Sequence, residues 1–171
     1  LESDKDSVTV AEISSFQLET MVTFKPHVTA ILNITPDHLD RHKTLENYIA
    51  IKESITKNQD GNDFCVLNYN DPVLREFGKT PRCKVIFFSS SEELESGVFL
   101  RGDTMIIKEN GVETPVCTTK DTSLVGMHNY ENIMAAIAMT HAMGVPLDTI
   151  RQGIKEFTAV EHRIEFVTEK N

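Results

Sequence analysis

Phe64-Cys-Val-Leu-Asn68, a segment around Pro72 to Phe77, and Lys84-Val-Ile-Phe-Phe88 follow one another in a single short stretch of the chain. The outer two are almost unbroken apolar runs, the pattern of strands covered on both faces, and a short helix is expected between them. Strand, helix, strand in that order predicts a βαβ unit and hence a parallel sheet. Upstream, Pro26-His-Val-Thr-Ala-Ile-Leu-Asn33 and Val8-Thr-Val-Ala-Glu-Ile13 read as further buried strands for the same reason. From Leu45 to about Asn58, the residues Leu45, Tyr48, Ile49, Ile51 and Ile55 recur at near-helical spacing, and Asn58-Gln-Asp-Gly61 stops the helix.

Downstream the pattern changes. Val98-Phe-Leu100, Met105-Ile-Ile107 and Val112-Glu-Thr114 are short strands, the last two joined through Asn110-Gly111. Asn-Gly is the preferred two-residue hairpin turn because both positions tolerate positive φ. The expectation is an antiparallel flap on the edge of the parallel sheet. Two helices follow, from Asn129 to about Met143 and from Asp148 to about Phe157 with Asp148 as N-cap. Arg163-Ile-Glu-Phe-Val-Thr168 reads as a last strand. The fold class is therefore α/β, a mostly parallel sheet flanked by helices with a small antiparallel flap, without internal repeats.

A chain of 171 residues is long enough for one domain whose core buries roughly 70% of the unfolded surface. With 40% hydrophobic and 25% charged residues, collagen-like, coiled-coil and disordered classes drop out. The 17 Lys+Arg against 26 Asp+Glu leave a net charge of −9, which argues against a nucleic-acid partner, since duplex binding needs a basic face. A small phosphorylated ligand held by backbone N–H groups or a metal stays compatible. Cys65, Cys83 and Cys117 form no CxxC and leave one over, so a reduced, cytoplasmic compartment is expected. No run approaches the roughly 18–20 apolar residues of a membrane span, so no membrane partner is expected. The opening Leu1-Glu-Ser-Asp4 lacks an initiator Met and suggests a piece of something longer.

In open α/β sheets ligands bind beyond the carboxyl ends of the strands. Two strands run into polar sequence there. Val8-Thr-Val-Ala leads to Glu12-Ile-Ser14-Ser-Phe-Gln17, and an acid at such a strand end can hold Mg²⁺ or simply cap the next helix. Ile31-Leu-Asn33 leads to Thr35-Pro-Asp37-His38-Leu-Asp40-Arg-His42, where Thr35 as N-cap and Pro36 as N1 predict a helix start. His38 in its first turn would be kept neutral by the helix dipole and able to bind metal. The His38-x-x-x-His42 spacing could share a metal, but there is no HExxH; the alternative is a capping Asp37 and a solvated His42. Gly78-Lys79-Thr80 imitates the tail of a phosphate loop, yet Val73 stands where the first glycine belongs and Pro81 blocks the following helix. No G-x-S-x-G elbow surrounds Ser14 or Ser15. Asn129 and Asn132 share a helix face and could read a purine, or Asn129 could cap its helix. Lys52 could snorkel to water, and His162-Arg163 could meet a phosphate or be a surface pair.

Five pieces in order, Glu12-Ile-Ser-Ser-Phe-Gln-Leu-Glu19, Asn33-Ile-Thr-Pro-Asp-His-Leu-Asp-Arg-His42, Tyr48-x-x-x-Lys52, Gly126-x-His-Asn-x-x-Asn132 and His162-Arg163, resemble the central ATPase domain of the Mur ligases, enzymes of peptidoglycan precursor synthesis. The likeness runs from about Val8 to Arg163, and its Ser-Ser-Phe-Gln-Leu run is most similar to the D-glutamate-adding branch. The resemblance implies a P-loop-like fold, ATP and Mg²⁺, and the substrates UDP-N-acetylmuramoyl-L-alanine and D-glutamate. It implies Glu12, His38 and a carbamylated Lys52 as metal ligands, with Lys52 and His38 catalytic. It implies Ser14, Gln17 and Asn33 at the uridine-linked substrate, and Asn129, Asn132 and Arg163 at the nucleotide. The family's Gly-x-x-Gly-Lys-Thr/Ser loop does not occur in the sequence. Residues 1–165 are then expected to be a central domain without that loop, 166–171 to begin a strand or linker toward a further domain, and the piece alone to be an inactive monomer. Sister ligases adding another amino acid, folylpolyglutamate synthases, a non-catalytic nucleotide-binding module and a metal hydrolase on Glu12, Asp37, His38 and Asp40 are the competing expectations.

Overall fold

The computed structural model describes residues 7–158. Its frame is a six-stranded sheet whose spatial order equals its sequence order: β1 Val28–Ile31, β2 Phe64–Asn68, β3 Lys84–Ser89, β4 Gly97–Arg101, β5 Thr104–Glu109 and β6 Val112–Thr118. The first four strands pair in parallel, with Ala30 opposite Val66 and Val66 opposite Ile86. The last three form an antiparallel meander. The expected parallel sheet and antiparallel flap are thus one continuous sheet, joined where Phe88 pairs with Val98.

Alternation along β2 builds both cores. Val66 faces one side and packs with Phe88, Val98, Met105 and Ile107 beneath α5, Met127–Ala142, through Ile133, Met134, Ile137 and Ala138. Cys65 and Leu67 face the other side and pack with Ile31, Leu74 and Cys83 under α4, Pro72–Phe77. Phe88, Met134 and Ile137 are fully buried, each worth about 1.5–3 kcal/mol of transfer free energy. Asp71 starts α4 by accepting from the N–H groups of Val73 and Leu74, with Pro72 in the first turn.

The turn Asn110-Gly111 has φ of 52° and 78°, as the hairpin reading requires. Gly97 opens β4 at φ 123°, where a Cβ would lie 2.2 Å from the Phe87 carbonyl oxygen, so only glycine fits. Opposite Met105 and Ile106 of β5 the register slips, which places Pro115 beside a bulge on β6, the outermost strand among the described residues, a position that tolerates a missing N–H. Helix α6, Leu147–Glu156, lies beside it, and Arg151 donates to the carbonyls of Val116 (3.0 Å) and Pro115 (2.6 Å).

Several expectations need correction. Val8–Ile13 is not a strand: Val8 and Val10 are 65% and 85% exposed, and β1 has β2 as its one strand neighbour among the described residues. An apolar run has strand propensity, but a ladder needs a partner. The helix expected over 45–58 is α3, Leu45–Glu53, continued by a 3₁₀ turn Ser54–Thr56, where the hydroxyls of Ser54 and Thr56 bond back to the carbonyls of Ile51 and Glu53. Asp148 is not an N-cap; Pro146 holds that position and the Asp148 carboxylate pairs with Arg151 at 2.7 Å. Asn129 is not the cap of α5 either, since Gly126 is. The strand expected at 163–168, His162-Arg163 and the 166–171 boundary lie outside the described residues.

Candidate active site

Two short segments and one regular helix gather at the carboxyl end of β1. The first is α1, Ser15–Leu18, one turn closed by a capping box. Ser14 Oγ accepts from the Gln17 N–H at 3.3 Å, and Gln17 Oε1 takes the Ser14 N–H at 2.8 Å and its hydroxyl at 2.9 Å. Ser14 and Gln17, expected at the substrate, therefore act as one rigid unit. Glu12 is exposed just ahead of it.

The second segment leaves β1 through Asn33 and ends in α2, Leu39–His42. Thr35 and Pro36 do not start a helix. His38 is the N-cap in the left-handed region, φ 51°, where the Asp37 carboxylate accepts its N–H at 2.8 Å and lies 3.3 Å from its Nε2. That local side-chain bond outcompetes the helical turn. With α2 a single turn, the helix-dipole argument for a neutral His38 falls away. His42 does not share a metal with His38 and is not solvated. It is buried, with Nε2 3.0 Å from Ser15 Oγ and Nδ1 3.2 Å from Glu19 Oε1. The Phe16 ring sits between the two imidazoles, 4.8 Å from His38 and 5.5 Å from His42. Arg41 grips Glu19 through two nitrogens and holds its carboxyl below the usual range.

The third is α3, whose Lys52 crosses the Tyr48 ring at 5.0 Å and donates from Nζ to the Asn33 carbonyl at 3.2 Å. Lys52 is half-buried and turned to the strand end, where it meets the Asn33 backbone. Among the described residues no three His, Cys, Asp or Glu side chains form a metal-holding group.

On the far side, α5 begins at Met127 beyond β2 and β3. Asn129 is half-buried with Nδ2 donating to the Val125 carbonyl at 2.8 Å, and Asn132 is exposed. Sequence reasoning missed the polar residues between the two sides. Asn68 ends β2 and Ser89 ends β3, and Asn70 and Ser90, just beyond them, both bond Glu131 of α5. Their signal was there, since both runs stand at the carboxyl ends of parallel strands. Gly78-Lys79-Thr80 is the loop it was read to be: Gly78 ends α4, and Lys79 pairs with Glu76.

Residues 1–140 match the Mur ligase middle domain family. The chain belongs to the Mur ligase family. It is 52% identical over 168 residues to the UDP-N-acetylmuramoylalanine–D-glutamate ligase of Lachnoclostridium phytofermentans, across 98% of the chain and 37% of that relative. The Mur ligase domain described here thus spans a little over a third of that protein's length. Among solved structures it superposes on MurF from Acinetobacter baumannii with a TM-score of 0.64 at 21% identity, covering 84% of this chain and 32% of that one. MurF ligase from Thermotoga maritima, in complex with ADP, gives a TM-score of 0.58 at 20% identity, over 85% and 34% of the two chains. At these identities the likeness establishes the shared fold, a mostly parallel sheet flanked by helices.

Proposed function

We propose that this domain is the ATP-binding centre of a ligase that adds D-glutamate to UDP-N-acetylmuramoyl-L-alanine. The observation that carries the reading is the 52% identity to a D-glutamate-adding ligase across 98% of the chain. The reaction is amide formation driven by ATP. The substrate carboxylate takes the γ-phosphoryl group, releasing ADP. The amine of D-glutamate then attacks the acyl phosphate, loses its proton and expels phosphate.

The residues divide by side. Ser14 and Gln17, locked in their capping box, and Asn33 at the end of β1 would bind the uridine-linked substrate. Asn129 and Asn132 on α5 would meet the adenine, with Arg163 near the nucleotide. Glu12 and His38 suit a divalent cation: Glu12 offers an exposed carboxylate and His38 a side chain 49% exposed. Mg²⁺ is usually held through one or two carboxylates together with substrate phosphates and waters, so the Glu12 carboxylate is the suited oxygen donor and His38 would add a nitrogen. When bound, the cation would offset the charge on the transferring phosphoryl group. Lys52 as an ammonium would repel it, whereas carbamylation makes Lys52 an anionic oxygen donor at the same place. The chain spans 37% of the length of that D-glutamate-adding relative, so the activity is proposed for the whole ligase.

The test is phosphate release by the full-length ligase with ATP, UDP-N-acetylmuramoyl-L-alanine and a panel of amino acids. Release confined to D-glutamate supports the reading. Release with another amino acid moves the chain to a sister ligase, and no release refutes it.

A further inference from the structure

Beyond β2 and β3 a set of side-chain hydrogen bonds runs toward Glu131. Ser89 Oγ donates to Asn70 Oδ1 at 2.7 Å, and Ser91 Oγ joins it at 2.9 Å. The Asn70 amide donates onward to Ser90 Oγ at 2.6 Å and to Glu131 Oε1 at 3.1 Å, and Ser90 Oγ donates to the same Glu131 oxygen at 2.6 Å. Each donor strengthens the next, and the chain ends on a carboxylate, where hydrogen bonds are strongest. Its root is the sheet itself: Ser89 is fully buried and takes the Glu92 N–H, while Asn70 N–H is held by Asn68, whose amide donates to the Leu32 carbonyl beyond β1.

Glu131 stands between Asn129 and Asn132. The N-cap of α5, Gly126, makes no side-chain bond to the helix. From Ile133 onward α5 is docked by buried side chains, so the network is not needed to hold the helix on the sheet. What it fixes is the solvent-facing start, where the two asparagines lie.

We propose that Asn70 and Ser90 are positioning residues for the nucleotide: by holding Glu131 they set where Asn129 and Asn132 stand relative to the strand ends. This rests on the assignment of those asparagines to the adenine. The network links that face, through Asn68 and the Leu32 carbonyl, to the segment that carries Asn33.

The experiment compares the full-length ligase with Ser90→Ala, Asn70→Ala, Glu131→Ala and Glu131→Gln, measuring ATP binding by calorimetry, steady-state kinetics and thermal unfolding. Ser90→Ala and Glu131→Ala should raise both the ATP dissociation constant and the ATP KM by about fivefold or more, the factor set by one lost hydrogen bond. The kcat at saturating ATP should stay within about twofold, and KM for the other two substrates should not move. Glu131→Gln keeps an acceptor oxygen and should stay near the parent, and the Ser90→Ala/Glu131→Ala double variant should add little to either single change. An unchanged ATP dissociation constant in Ser90→Ala and Glu131→Ala overturns the proposal. Equal losses for all three substrates, with a lowered melting temperature, overturn it in favour of a purely structural role. Failure of the unsubstituted ligase to bind ATP overturns the assignment of the site as well, so the two failures are told apart by that control.

Discussion

The hydroxyl of Ser15 and Nε2 of His42 lie 3.0 Å apart in the interior, joining α1 to α2 where no strand ladder connects them. Glu19 stands 3.2 Å from the other ring nitrogen, so serine, histidine and carboxylate follow in the order of a hydrolase triad. The His42 side chain is wholly buried and Ser15 is 7% exposed, so no substrate reaches the hydroxyl. The trio is a brace. It holds the Phe16 ring against His38 and, with it, the turn that carries Ser14 and Gln17.

His42→Ala removes a buried ring and strands the Ser15 hydroxyl. The expected loss is about 2 kcal/mol or more in urea unfolding. A variant as stable as the parent would show that the brace carries no weight.

Lys52→Arg keeps the positive charge but removes the amine that would carry the proposed carbamate. Turnover by the full-length ligase should fall by about a hundredfold or more, the scale of losing one charge-stabilising group. Near-normal turnover would rule out a carbamate at Lys52.

Asp63 is buried between Lys25, His27 and the Asp60 N–H. The Asp60 N–H bond is the largest influence, and the bonds to His27 and Lys25 add to it, so the carboxyl is held below its usual 3.8. A folded pKa below the unfolded one means stability present above about pH 4 and lost as pH falls further. Thermal unfolding from pH 6 down to pH 3 should therefore lose less in Asp63→Asn than in the parent. Parallel pH curves for the two proteins would contradict this.

Gly97→Ala should cost about 2–4 kcal/mol, because positive φ and the Phe87 carbonyl both oppose a side chain there. Denaturant midpoints of the two proteins measure it. A neutral substitution would mean that the β3–β4 junction gives way easily.

Burial pushes the Cys117 thiol up to about 11. At pH 8 roughly one in a thousand such groups is thiolate, so iodoacetamide should label it slowly in the native protein and promptly after unfolding. Mass spectrometry after brief native exposure would expose a fast reaction, which would contradict the burial.

Much of the frame was readable from local chemistry. Apolar runs marked β1, β2 and β3, Pro72 to Phe77 marked α4 to the residue, and Asn110-Gly111 marked the hairpin. At three places the local pattern misled. Val8-Thr-Val-Ala carries strand propensity without a partner strand. Thr35-Pro36 carries a helix start, but Asp37 spends its carboxylate on His38. His42 looks solvated beside Arg41 until Ser15, Glu19 and Tyr48 close round it. At the candidate site, the motifs marked Ser14, Gln17, Asn33 and Lys52 one by one, but the bond from Lys52 to the Asn33 carbonyl carries no sequence signal. The place of Asn70 and Ser90 past the strand ends was legible, but not their meeting with Glu131, since the network joins three separate segments that share no spacing rule.

Arg151 and Pro115 have one more consequence at the outer margin of the sheet. A strand arriving from another molecule would need free donors and acceptors along β6. It would meet a proline without an N–H and two carbonyls already bonded to a guanidinium. Growth by edge-to-edge strand addition, a common start of aggregation, is blocked on that side by ordinary native contacts.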